Sequence, residues 1–155
     1  MGPTGSLSKG VYMSYLAPSG GNPKRLQIAE ITLSGSPAAD GYFTFATLVD
    51  HTFDTAPTGL NSTSLSLPAG KYFFRAMLDV TRTTSNQNYA FQFEADGSLV
   101  GRQGQTGLSN NTRADVAEGT HDDTSSFNLK IEALSIESSA PTLTTNSKCF
   151  IWRVS

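Results

Sequence analysis

Two histidines, His51 and His121, are the only imidazoles in this 155-residue chain. A hydrolase needs an activated nucleophile with a base in hydrogen-bond reach, and no Gly-x-Ser-x-Gly elbow supplies the nucleophile. His51, in Asp50-His51-Thr52, reads as a surface or loop histidine at a strand end. The densest polar cluster is His121-Asp122-Asp123, with Asp115 and Glu118 just before it. Carboxylates in such a run could offer oxygen ligands to a hard cation such as calcium. Neither EF-hand spacing nor a glycine-centred acidic repeat is present, so a solvated loop is expected over Glu118–Thr124. Asp79, Glu94 and Glu132 are the carboxylates that could oppose each other across a glycosidase cleft. All three fall on the outward parity of expected strands, where solvated positions account for them. The expectation is no enzyme, with no catalytic, cofactor-binding or metal-binding residues and no cofactor.

Cys149 is the single cysteine. It allows no intrachain disulfide and no cysteine-based zinc site. Its place in the apolar run Lys148-Cys149-Phe150-Ile151-Trp152 predicts a buried, inert thiol. The net charge is −2, the pI is about 5.6, and Lys24-Arg25 is the longest basic run. Non-specific nucleic-acid binding draws on clustered Lys and Arg, so no nucleic-acid partner is expected. No run of 18 apolar residues occurs, and membrane insertion through a helix is not expected. Met1-Gly2-Pro3 has neither the basic start nor the apolar stretch of a secretory signal. The myristoylation pattern at Gly2 and the sequons at Asn61 and Asn110 read as chance matches in a chain this rich in small polar residues.

The elements that must position these side chains are strands. Charged residues make up 15% of the chain, against ~25% in an average protein. Nineteen Ser and eighteen Thr fill the polar faces instead. Such residues favour turns and strands over helix interiors. Residues 1–24 read as an arm, dominated by Gly, Pro and Ser around one apolar patch, Val11-Tyr12-Met13-Ser14-Tyr15-Leu16. Within it Val11, Tyr12, Tyr15 and Leu16 are the candidate docking residues, on the chain's own domain or on a neighbour.

Residues 25–155 read as one domain. Leu26, Ile28, Ile31 and Leu33 mark a first strand. In Gly41–Val49 apolar residues fall on both parities, predicting cover on both faces. Thr63–Leu67 alternates and stops at Pro68-Ala69-Gly70. The strongest strand follows, with Tyr72, Phe74, Ala76, Leu78 and Val80 on the expected core face and Phe73, Arg75, Met77 and Asp79 on the other. Tyr89, Phe91, Phe93 and Ala95 point inward against Ala90, Gln92 and Glu94. Asp96-Gly97 predicts a tight hairpin. A loop is expected over Gly104–Asn111 and a weak strand over Arg113–Ala117. Phe127, Leu129, Ile131 and Ala133 alternate next, and Phe150, Trp152 and Val154 share one side of the last strand. Eight to ten short antiparallel strands at this spacing, with no helical stretch, predict an all-β jelly-roll sandwich.

Leu65-Ser66-Leu67-Pro68-Ala69-Gly70-Lys71-Tyr72-Phe73-Phe74-Arg75-Ala76 resembles the strand entry of two related groups. One comprises the heads of bacteriophage fibre and capsid-attached proteins. The other is the C1q and tumour-necrosis-factor-like jelly roll. The resemblance implies a homotrimer, with Phe73, Met77, Phe150 and Trp152 as candidate oligomer-interface residues. There is no collagen-like Gly-x-y stretch, which favours the phage side. The expectation is a non-enzymatic virion protein, a capsid decoration or short head fibre, with capsid or other virion proteins as partners. One rival is a receptor-binding head that contacts host-surface glycan through Gly104–Asn111 and Glu118–Ser125. Another is a carbohydrate-binding module, which should display a row of exposed aromatics, whereas Trp152 falls in an expected core strand. The third is a cytokine-like ligand, which would need a secretion route.

Overall fold

The computed structural model describes residues 25–81, 89–105, 113–136 and 142–154. They form eleven strands and no helix: β1 Leu26–Ser34, β2 Gly41–Tyr42, β3 Thr44–His51, β4 Leu65–Leu67, β5 Gly70–Thr81, β6 Tyr89–Ala95, β7 Ser98–Gln105, β8 Arg113–Asp123, β9 Phe127–Ile136, β10 Thr142–Leu143 and β11 Lys148–Val154. Every pairing is antiparallel. One layer runs β3-β1-β11-β5-β8, with β10 extending the β11 side of β5. The other runs β9-β6-β7, with β2 and β4 both on the free side of β9. The layers join where Arg102 of β7 pairs with Glu118 of β8.

The core between the layers is aromatic. Phe74 of β5 meets Phe93 of β6 with ring centroids 5.4 Å apart, and Tyr72 meets Phe127 of β9 edge-on at 5.2 Å. Such rings each bury a large area and favour tilted or edge-on contact. The expected inward set Tyr72, Phe74, Ala76, Leu78 and Val80 is buried. Cys149 is fully buried as expected, and desolvation raises its thiol far above the ordinary range. The Asp96-Gly97 hairpin forms with both residues at positive φ, as a type I′ turn requires.

Several local expectations are corrected. The segment Glu118–Thr124 is not a loop through most of its length: β8 continues to Asp123, held by eleven register pairs with β5. Its inward residues are Ala117, Gly119 and His121, which give no apolar rhythm in the sequence. Gly104, expected in a loop, lies within β7 and is buried against the Phe91 ring. Gly41–Val49 is not one strand with both faces covered. The chain crosses between layers at Phe43, so β2 pairs with β9 and β3 with β1. Phe43 and Phe45 are buried, yet Val49 is 51% exposed. Ala90, placed outward by parity, is buried, because a register shift between Ala90 and Phe91 breaks the alternation.

Candidate interaction face

The register of the first layer decides which side chains share its outer surface. Trp152 of β11 lies opposite Phe73 of β5 on one side and Ile28 of β1 on the other. Phe150 lies opposite Arg75 and Glu30, and Lys148 opposite Met77 and Thr32. Phe73, Met77, Phe150 and Trp152 are thus brought together on one face, the side away from the core. The Phe73 and Trp152 centroids are 5.2 Å apart, and Phe150 stacks on Trp152 at 5.9 Å.

Trp152 therefore leaves the core and is half-buried on the outer surface; Cys149 and Ile151 take the inward places of β11. The face is wider than those four residues. Leu26 is 56% exposed and Val154, its register partner, 42%. Isolated exposed apolar side chains are ordinary, but a contiguous group marks an interaction surface.

Ion pairs ring this patch. Lys71 meets Asp122 at 2.9 Å, Arg75 meets Glu118 at 3.4 Å, and Lys148 pairs with Glu30. The first two are direct cross-strand partners on β5 and β8. These three pairs balance, and Asp50, opposite Glu30, and Asp79, on the outward parity of β5, give the face a small surplus of negative charge. An apolar centre with a polar rim is the anatomy of protein interfaces.

The acidic cluster is split by the same alternation. Asp122 and Glu118 point outward to Lys71 and Arg75, while His121 packs inward on Phe127 with centroids 4.5 Å apart. Asp123 accepts from the Ser125 backbone N–H and hydroxyl, and these bonds hold its carboxyl below the usual range. His121 Nε2 lies 3.4 Å from Asp123 Oδ2 without hydrogen-bond geometry. Among the described residues, no group of three or more His, Cys, Asp or Glu is placed to hold a metal.

Glu94 is not solvated as expected. It is 6% exposed and accepts from the Tyr42 hydroxyl at 2.9 Å and from Lys130 Nζ at 3.0 Å. Lys130 also sits 4.5 Å over the Tyr42 ring, adding a cation–π contact. Glu132 beside them is half-buried; desolvation and then the Glu94 and Asp40 charges raise its carboxyl pKa. Asp79 is half-buried too, accepting from Thr144 Oγ1 at 2.7 Å and Asn146 Nδ2 at 3.0 Å. Parity alone misses the partners of Glu94 and Asp79, which come from segments distant in sequence. His51 is exposed at the end of β3, as expected. Val11, Tyr12, Tyr15 and Leu16, and most of the Gly104–Asn111 segment, lie outside the described residues.

No protein-family model and no curated protein matches the chain. Solved structures do. The globular domain of zebrafish complement 1qA protein superimposes with a TM-score of 0.56 at 8% identity, over 82% of this chain and 93% of that one. Murine APRIL at pH 8.5 gives 0.61 at 6% identity, over 83% and 99%. Murine APRIL at pH 5.0 gives 0.60 at 6% identity with the same coverage. At such identities the likeness is one of fold. The domain is a jelly-roll sandwich of the C1q/TNF-like kind.

Proposed function

We propose that the chain is a non-enzymatic structural head of a bacteriophage virion, assembled as a homotrimer and carried as a capsid decoration or short head fibre. The observation that carries self-association is the outer face of β1, β11, β5 and β8, where exposed Ile28 and Phe73 flank the half-buried Trp152 in one row. Desolvating such a patch releases ~25 cal/mol per Å² of apolar area. The three ion pairs around it balance, so the like charge that a second copy meets is confined to Asp50 and Asp79. A face that packs on a different surface of the next copy closes into a symmetric ring where the rotation allows, and the jelly-roll likeness favours threefold closure.

The virion setting is supported by the resemblance of Leu65–Ala76 to phage head proteins and by the weakly charged, hydroxyl-rich composition. In this reading Val11, Tyr12, Tyr15 and Leu16 attach the head to capsid or another virion protein. Sedimentation velocity of the purified chain tests the assembly, with a trimer expected. Binding to virions that lack the protein, with and without residues 1–24, tests the attachment. A monomer at micromolar concentration overturns the first part, and equal binding without the arm overturns the second.

A further inference from the structure

Gln27 breaks the pattern of β1. Its neighbours Leu26 and Ile28 point outward, while this amide points inward and is 1% exposed. In register, Gln27 lies opposite Arg153, Arg153 opposite Tyr72, and Tyr72 opposite His121. The next row inward, Ala29, Ile151, Phe74 and Gly119, is buried and apolar. The polar row thus marks one end of the core.

Its members are fixed by one another. Arg153 donates from Nη1 to Gln27 Oε1 at 3.0 Å and from Nη2 to the Ala69 carbonyl. Its guanidinium lies 5.9 Å over the Tyr72 ring. Gln27 Nε2 donates to Asp54 Oδ2 at 2.9 Å. A buried amide therefore holds a cation and a carboxylate at set positions. Polar groups at inward positions cost free energy unless bonded, and breaks with local pattern concentrate at functional sites.

A cleft of about 410 Å³ opens beside this row. Asp54, Thr58, Ser66, Ser126 and Arg153 line its polar side, and Pro68 forms an apolar wall. Small-molecule sites span about 300–1,000 Å³. Among the described residues Asp54 accepts only at Oδ2, which leaves Oδ1 as an acceptor. The hydroxyls of Thr58, Ser66 and Ser126 can both donate and accept.

We propose that this cleft binds a neutral saccharide unit. Sugar hydroxyls would donate to Asp54 Oδ1 and exchange bonds with the three side-chain hydroxyls, while the C–H face of the ring lies on Pro68. Asp54 and Arg153 together leave the lining without net charge, so it holds no surplus cation to select an anionic ligand. A wholly apolar ligand would strip water from Asp54 without replacing its bonds. The proposal does not depend on the assembly, since these residues lie off the Phe73–Trp152 face.

The full chain is titrated with maltose, cellobiose, lactose and sialyllactose, followed by amide chemical shifts. At least one neutral disaccharide binds at tens of millimolar or tighter, with the shifts centred on Asp54, Thr55, Ala56, Thr58, Ser66, Leu67 and Ser126. Asp54→Ala, and separately Ser126→Trp to fill the cleft, each weaken that binding at least about tenfold, while the sedimentation coefficient stays unchanged. Absence of binding by all three neutral sugars overturns the proposal. So does tighter binding of sialyllactose than lactose, or retained affinity in either variant.

Discussion

Phe73 of β5 and Trp152 of β11 are direct cross-strand partners whose rings lie 5.2 Å apart on the side of the sheet facing away from the core. Phe73 is 38% exposed, so the pair contributes little to the core it backs onto. If the face is an oligomer interface, a charge there acts on assembly before it acts on folding. Phe73→Glu is expected to shift the sedimenting species from trimer to monomer, with the far-ultraviolet circular dichroism unchanged. Central aromatic anchors are each worth about 2 kcal/mol or more on truncation. Trp152→Ala should therefore weaken assembly by at least about thirtyfold per interface. An unaltered trimer in both variants removes this face as the interface.

Ser147 lies in the turn between β10 and β11 and is fully buried. Its hydroxyl donates to the Asp79 carbonyl at 2.9 Å and accepts from the Asp79 N–H at 3.0 Å. This bridges the break between β10 and β11, where the ladder on that edge of β5 lapses. Ser147→Ala leaves the Asp79 N–H without its partner, while the Asp79 carbonyl keeps the Thr144 N–H at 2.8 Å. An unsatisfied buried polar group costs about 1–3 kcal/mol, so a loss near 2 kcal/mol is expected in the unfolding free energy from urea titration. A change under about 0.5 kcal/mol, the scale of ordinary surface substitutions, would mean that water replaces the hydroxyl.

Two glycines at positive φ should respond very differently to alanine. Gly97, at φ 84°, faces open space, so only the backbone conformation resists a Cβ. About 1 kcal/mol is expected there, the ordinary cost of a left-handed residue. Gly101, at φ 78°, would place its Cβ 2.1 Å from the Glu118 carbonyl oxygen, where the two layers join. Gly101→Ala must push β7 and β8 apart, and little soluble protein is expected. Thermal melts of the two variants check the contrast.

The legible part of the fold is the part written in large apolar residues. In β5 and β9, Tyr72, Phe74, Leu78, Phe127, Leu129 and Ile131 alternate strongly enough to assign their faces, and the structure agrees. Phe73 and Met77 are outward by parity, whereas Phe150 and Trp152 enter through the resemblance alone; that the four meet depends on β11 lying beside β5, a pairing between distant strands. Arg113–Ala117 of β8 is legible as a weak strand, but its continuation to Asp123 is not, because the inward residues there are Gly119 and His121. Gln27 and Arg153 carried no signal either, since a polar residue next to apolar ones reads as outward. Their roles emerge only when the ladder places them side by side at the core's end.

The Glu94 cluster makes alkaline stability testable. Tyr42 donates to Glu94, and that bond, followed by desolvation and the Glu94 charge, raises the hydroxyl above its ordinary 10.0. Lys130 is raised above 10.5 chiefly by its own bond to Glu94, partly opposed by desolvation. A folded-state pKa above the unfolded one means tighter proton binding in the fold. The contribution of each group is therefore complete below its ordinary value and is lost as pH climbs through the elevated one. Glu132, raised by desolvation and by the Glu94 and Asp40 charges, titrates on the acid side and stays out of this window. Tyr72, pushed up to about 12 by burial, adds the same alkaline loss to every variant. Glu94→Gln removes the charge that holds both Tyr42 and Lys130 protonated. Wild type should lose melting temperature more steeply than Glu94→Gln once pH passes 10.0, while the two curves run parallel near neutrality. Parallel curves across the whole alkaline range would show that Tyr42 and Lys130 do not feel the Glu94 charge.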